Sequence, residues 1–234
     1  MTDLFAVIEA TWPAAALHRA GAFLLREGKG GGQRVSAATA FGSWTETDID
    51  TVEGMAHGLG QAPLFMLRPG DEALDRALGA RGYRIKDPVH IFEGPIKPLT
   101  EPAPPPVSAF ALWPPLAIMH DLWAEDGIGP ERIAVMTRAA GAKAAILGRI
   151  NDRASGAAFV GIHKGTAMLH ALYITADQRR QGSAVYMMRK AAIWAQDQGA
   201  TRFSVIVTQA NAPANALYAS LGLQVVGHYH YRSK

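Results

Sequence analysis

The chain contains no cysteine, which excludes disulfide staples, thiolate metal centres and any mechanism passing through a cysteine thioester. It also lacks a long apolar run: Ala14 to Leu25 is broken by His18 and Arg19, well short of the roughly 18 apolar residues a membrane helix needs. The opening Met1-Thr2-Asp3-Leu4-Phe5 has no basic stretch followed by an apolar core, so a secretory signal is not expected and a cytoplasmic location is. An excess of one charge is missing too. With 23 Lys+Arg against 20 Asp+Glu the net charge is only +3, and neither a nucleic acid nor a membrane is expected as partner. What the chain does have is apolar mass. Its 234 residues, 49% hydrophobic, suit one large domain or two small ones, with a core that needs no staple.

The clearest break is the segment 95–106. Five of the nine residues from Pro98 to Pro106 are proline; proline donates no backbone hydrogen bond and favours extended geometry. The expected division is therefore 1–94, a linker at 95–106, and 107–234. In the first part, Ala22 to Arg26 and Arg34 to Ala40 read as strands around a hairpin turn at Gly28 to Gly32. Thr47 caps a helix with Ile49, Val52, Met55, Ala56 and Leu59 on one face. Pro63 to Arg68 is a strand, Asp71 caps a helix that Gly82 ends, and Arg84 to Phe92 is a final strand. In the last part the order is strand (from Val107), helices opened by Pro114-Pro115 and by Pro130, and three successive strands (Ala144 to Ile150, Ala157 to His163, Ala167 to Ile174). A long helix from about Gly182 to Gln198, a strand (Phe203 to Thr208), a short helix (Pro213 to Leu221) and a last strand (Gln224 to Tyr231) follow. This is an α+β plan: a mixed, mostly antiparallel central sheet flanked by helices, beside a smaller α/β N-terminal domain.

One stretch carries chemistry. Leu172-Tyr173-Ile174 ends an apolar strand, a polar loop with Arg179 and Arg180 follows, and a helix opens at Gly182-Ser183-Ala184. The first turn of a helix offers unpaired N–H groups and a partial positive charge, and small residues let a phosphate approach them. Taken alone, the stretch is equally an ordinary strand-to-helix loop with solvated arginines.

After the next strand comes Asn211-Ala212-Pro213-Ala214-Asn215-Ala216-Leu217-Tyr218, then Leu221-Gly222-Leu223. Here the region 107–234 resembles the GCN5-related N-acetyltransferase (GNAT) family. That family's phosphate loop, Q/R-x-x-G-x-G/A, fits Arg179-Arg180-Gln181-Gly182-Ser183-Ala184. Its later signature, N-x-x-A-x-x-L-Y followed by L-G-F, fits Asn211, Ala214, Leu217, Tyr218 and Leu221-Gly222-Leu223, with leucine in the phenylalanine position. The resemblance implies the acyl-CoA N-acyltransferase fold and acetyl-CoA as cosubstrate. Its pyrophosphate would lie between Arg179 and Ala184, and its pantetheine arm would pair with Leu172, Tyr173 and Ile174, where two strands part. Backbone N–H groups near Tyr173 would polarise the thioester carbonyl.

The implied reaction is direct transfer of an acetyl group to a primary amine, of a small molecule or a peptide N-terminus, in a ternary complex. Tyr218 stands where the family places a general acid for the leaving thiolate; packing of its helix is the plainer role. Asn211 would bond the pantetheine or cap the next helix. The strand from Ala167 to Ile174 has no carboxylate to serve as base. It does have His170, of suitable intrinsic pKa, expected on one face with Leu172 and Ile174 and otherwise a packed structural residue; a water relay to Glu125 or Asp126 is the alternative. The competing reading is an idle acyl-CoA-binding or regulatory module. No metal site is expected: His228 and His230 share a face with no third ligand near in sequence, and Gly30-Gly31-Gly32 lacks the Gly-Lys-Ser/Thr ending of a P-loop. Ala77 to Tyr83 echoes Ala216 to Leu223, which implies a degenerate acetyltransferase half in residues 1–94, with an independent partner-binding module as the alternative.

Overall fold

The computed structural model describes residues 3–234; Met1 and Thr2, on which part of the leader reading falls, lie outside the described residues. The elements are α1 (Leu4–Thr11), β1 (Ala16–Ala20), β2 (Phe23–Glu27), β3 (Ala38–Ala40), α2 (Glu46–Gly58), β4 (Leu64–Leu67), α3 (Glu72–Ala80), β5 (Arg84–Pro95), α4 (Lys97–Thr100) and β6 (Ala109–Leu112). There follow α5 (Ala117–Glu125), α6 (Pro130–Arg138), β7 (Lys143–Ile150), β8 (Arg153–His163), β9 (Thr166–Ile174), α7 (Ser183–Asp197), β10 (Arg202–Thr208), α8 (Ala212–Ser220) and β11 (Gln224–Ser233). The architecture is the mixed, mostly antiparallel sheet flanked by helices that the pattern implied. Among the described residues no helix is long and apolar enough to cross a membrane.

The chain forms two compact units whose boundaries do not follow chain order. One takes the residues up to Pro13 together with 91–206 and 212–226; the other takes 14–90, 207–211 and 227–234. The proline-rich segment expected as a linker belongs wholly to the first unit. Leu99 within it is 1% exposed, and Pro102, though it cannot donate, accepts a 2.6 Å hydrogen bond from the Arg189 guanidinium on α7.

In the first unit the strands lie in the order β5-β10-β9-β8-β7-β6. β6, β7, β8 and β9 pair antiparallel, and β9 pairs parallel with β10. α7 lays Met187, Met188, Ala191, Ala192 and Ala195 on this sheet, an apolar stripe at helical spacing. Met187 fills the space left by Gly148 on β7, where a Cβ would stand 2.5 Å from its sulfur. In the second unit the order is β1-β2-β3-β4-β11-β5, around a core of Phe23, Leu25, Ile49, Val52, Phe65, Leu67, Leu74, Leu78 and Tyr83.

Local departures from the sequence reading have physical causes. β2 and β3 do pair antiparallel, Phe23 opposite Ala40 and Leu25 opposite Ala38. A 3-10 turn at Gln33–Val35 replaces the expected strand start, and buried Arg26 fastens the connection by donating to Ala37 O at 2.8 Å and Thr39 Oγ1 at 3.2 Å. α2 is capped by Thr45 rather than Thr47, because Thr45 and Asp48 form a reciprocal capping box.

Candidate active site

The site is built where two strands of the first unit stop pairing. β9 and β10 run in register from Arg202 opposite Thr166 to Val205 opposite Leu169; β9 then continues to Ile174. Its residues 170–174 keep β8 on one side, with Ala157 opposite Tyr173 and Gly156 opposite Ile174. Their other edge carries no register with β10, and such an edge can accept an extended ligand as an added strand.

β9 is also bulged. Phe159 faces His170 and Ala157 faces Tyr173, so one β8 residue opposes two on β9, Ala171 and Leu172. Ala171 has φ +51°, the left-handed conformation that opens a bulge and that glycine usually supplies. The extra residue breaks the period-two alternation. Phe159 and Ala157 share a face, so their partners His170 and Tyr173 share it too, whereas Ile174 turns to the other side. The expected common face of His170, Leu172 and Ile174 is thereby corrected. The buried Trp123 of α5 donates its indole N–H to Ala171 O at 2.8 Å.

Beyond Ile174 the chain makes a 3-10 turn at Ala176–Gln178. It passes Arg180 at φ +63° and Gly182 at φ +89°, and α7 starts at Ser183. No side chain caps this helix and its first turn has no acidic residue, so its leading N–H groups and positive end are available to an anion. The conformation at Gly182 admits a side chain only with strain, and a Cβ there would stand 3.2 Å from the Tyr186 ring. Arg179 is held by its Nε on Ile174 O at 3.1 Å, while its charged end and Arg180 are exposed. Gln181 accepts from Asn151 at 3.0 Å and donates to Asp177 O at 3.1 Å. Ser183 is buried, its hydroxyl 2.6 Å from that of Ser155, so only its backbone faces outward chemistry; Ala184 is half-buried. Thr175 Oγ1 and Gln178 Oε1 are buried with no hydrogen-bond partner among the described residues. An uncapped helix start and two exposed guanidiniums fit a diphosphate.

Tyr218, on α8, is 6% exposed and meets Phe92 edge-on at 5.7 Å; burial raises its pKa to about 12. His170 is buried as well. It stacks near Trp12 and Phe159, at 5.0 and 6.2 Å. Its Nε2 lies 2.9 Å from Thr11 Oγ1, and because that hydroxyl already donates to Val7 O at 2.7 Å, Nε2 is the donor. The histidine ties α1 to the sheet through this nitrogen. Asn211 belongs to the other unit; its backbone N–H donates to Thr208 O at 3.1 Å. Also in that unit, His230 Nε2 lies 2.8 Å from Asp75 Oδ1.

Sequence reasoning gave Glu125 only as a relay. In the structure its exposed carboxylate accepts from the Tyr173 hydroxyl at 2.7 Å, and this bond raises the Tyr173 pKa. The side chain thus stands beside the open end of β9. Helical periodicity showed which α5 residues face inward, but not which strand the helix end would reach.

A parallel pair that stops early, a bulged strand at the parting and an uncapped helix behind a basic loop are set in a domain with the acyl-CoA N-acyltransferase fold. Comparison with known proteins agrees. Residues 116–223 match the Acetyltransferase (GNAT) family. The uncharacterized N-acetyltransferase YobR of Bacillus subtilis (strain 168) is 28% identical over 75 residues, 32% of this chain and 30% of that protein, so the match spans about a third of the relative's length. In fold, the chain is similar to a GCN5-related N-acetyltransferase from Kribbella flavida (TM-score 0.67, 16% identity, 98% of this chain and 93% of that one). It is also similar to a tandem GNAT protein from the clavulanic acid biosynthesis pathway (TM-score 0.62, 11% identity, 100% and 88%). A conserved protein of unknown function from Staphylococcus epidermidis ATCC 12228 gives a TM-score of 0.71 at 11% identity, over 98% and 96%. At these identities the likeness is one of fold.

Proposed function

We propose that this protein transfers the acetyl group of acetyl-CoA directly to a primary amine in a ternary complex, without an acyl-enzyme. The observation that carries the reading is the end of β9–β10 pairing at Leu169 and Val205, directly upstream of the uncapped start of α7. The diphosphate rests on the N–H groups from Arg179 to Ala184, with the two arginines supplying charge-assisted hydrogen bonds. The pantetheine arm runs along Leu172, Tyr173 and Ile174 as an added strand. An N–H freed by the bulge binds the thioester oxygen as negative charge develops on it.

Two protons then move. The attacking amine gives one to Glu125, directly or through one water. His170 is not given this role, since it is buried between Trp12 and Phe159 and tied to Thr11. Tyr218 donates a hydrogen bond to the departing sulfur. A phenol of pKa about 12 stays protonated at neutral pH, and full transfer to an ordinary thiolate of pKa ~8.5 would be uphill by about 5 kcal/mol. Its contribution is therefore the hydrogen bond, and solvent supplies the sulfur's final proton. The N-terminal half is read as a degenerate acetyltransferase half; the tandem GNAT neighbour supports this.

The test is calorimetric titration of coenzyme A into pure protein, followed by thiol release from acetyl-CoA with a panel of small amines and peptide N-termini. Micromolar binding with amine-dependent release is expected. Binding without release across the panel would favour an idle acyl-CoA module, and absence of binding would overturn the reading.

A further inference from the structure

α5 reaches β9 at two points near its C-terminal end. Trp123 donates to Ala171 O at 2.8 Å, and Glu125 accepts from the Tyr173 hydroxyl at 2.7 Å. Residues two apart on the helix end thus hold residues two apart on the strand, and Leu172 lies between them in the bulge. The bulge needs such a hold. Ala171 sits at φ +51°, a conformation disfavoured for any residue with a Cβ, and strain of this kind persists only where surrounding structure over-determines it. Trp123 is fully buried, so its indole N–H must find an acceptor inside the protein. The Ala171 carbonyl is that acceptor, and turning it toward the indole fixes the peptide plane between Ala171 and Leu172. That plane carries the Leu172 N–H.

We infer that Trp123 is a positioning residue: its indole N–H locks the Ala171–Leu172 peptide plane and so aims the bulge amide on which acyl transfer depends. The inference rests on the proposed function, and it concerns the step after binding. The diphosphate end of the site has its own supports in Arg179 and the start of α7, so loosening the bulge leaves cofactor affinity alone and lowers turnover.

The test is Trp123→Phe, which keeps an aromatic ring and removes the donor. Expected are an affinity for coenzyme A within twofold of the parent, a roughly tenfold fall in kcat at saturating acetyl-CoA, and faster amide exchange across residues 169–174. Ala171→Gly adopts the left-handed conformation freely; added to Trp123→Phe, it should restore at least threefold of the lost kcat. A tryptophan that merely filled the core would lower the melting temperature, leave kcat per coenzyme A-binding site unchanged, and not be rescued by glycine at 171; any of the last two results overturns the inference. Should Trp123→Phe fail to fold, Ala171→Val tests the same plane from the strand, since a β-branched residue resists this φ; unchanged turnover there also overturns it. If the parent protein neither binds coenzyme A nor releases thiol, the proposed function fails, while amide exchange still reports whether the indole holds the bulge.

Discussion

The chain makes the same strand-to-helix turn twice, once in each unit, and the two turns are finished differently. β9 leads into α7 through a loop with two exposed arginines, and α7 begins with a glycine, no capping side chain and no acid in its first turn. β3 leads into α2 through Phe41 to Thr45, and there the helix start is closed. Thr45 and Asp48 cap it reciprocally, and Glu46 and Asp48 put two carboxylates in its first turn. Asp48 accepts the Thr45 N–H and hydroxyl, both at 2.8 Å, and these bonds hold its carboxyl below the usual aspartate pKa. An anion meeting α7 finds unpaired donors; one meeting α2 finds its place taken by the chain's own carboxylate. The strand-to-helix plan is present in both halves; the open turn has exposed arginines and no cap, and the closed one has a cap, two carboxylates and no basic residue in its loop.

The sharpest way to break that contrast is to copy the closed turn onto the open one. Gly182→Asp places a carboxylate at the start of α7 and a Cβ against Tyr186. Acetyl-CoA affinity should fall about 100-fold, roughly 2.7 kcal/mol, read by calorimetry with circular dichroism showing α7 intact. Reversing the arginines, Arg179→Glu with Arg180→Glu, leaves the backbone donors in place. It should raise the KM for acetyl-CoA by about 30-fold and change kcat by less than threefold; the opposite split would remove the loop from cofactor binding.

A smaller effect is expected where the two halves share a helix but only one uses its side chain. α3 ends before Tyr83, which donates to Glu53 at 2.6 Å and is thereby committed to structure. Tyr218 on α8 has its pKa raised by burial alone, and in the proposed mechanism its proton serves the sulfur. Tyr218→Phe should lower kcat about tenfold with coenzyme A affinity unchanged. An ordinary tyrosine ionises near pH 10. Burial raises this one, so the neutral donor is present below pH 10 and is lost only as the pH approaches about 12. The kcat of the parent protein, corrected for the free amine, should therefore show no alkaline fall between pH 9 and 10.5, and a fall with a midpoint near 10 would contradict the assignment.

The open turn was legible in the sequence because its parts are local. Glycine at the helix start, flanking small residues and paired arginines are contiguous from Arg179 to Ala184, and the Asn211-to-Leu223 signature lies on consecutive elements. The alternation of strands and helices from Lys143 to Ser233 was likewise carried by apolar period and by Gly and Pro stops. The bulge was not legible, because Ala171 is not the glycine that would have announced it; its conformation is held by Trp123, 48 residues upstream. The expected common face of His170, Leu172 and Ile174 failed on the same point, since a period-two face cannot be counted across an inserted residue. α1 was missed for a related reason. Its place depends on Thr11 meeting His170, 159 residues away, and eight residues offer little periodicity.

The closed turn supplies the mildest and most discriminating prediction. Asp48→Ala opens the cap of α2 and removes one carboxylate from its first turn. If a free helix start were sufficient for a diphosphate, this variant would acquire a second coenzyme A site. It should not, because α2 keeps Glu46 in its first turn and the loop from Phe41 to Thr45 contains no basic residue. Calorimetry should return the stoichiometry of the parent protein, and kcat and KM should be unchanged. Only the lost cap should register, as a fall of roughly 2–4 °C in melting temperature. That fall should fade as the pH drops through the range where the parent's Asp48 protonates, since its depressed pKa stabilises the fold above the unfolded value and loses that effect below the folded one. A second binding event in the titration would mean that the cap alone separates the two halves, and that the arginines of the open turn add rate or orientation rather than the site itself.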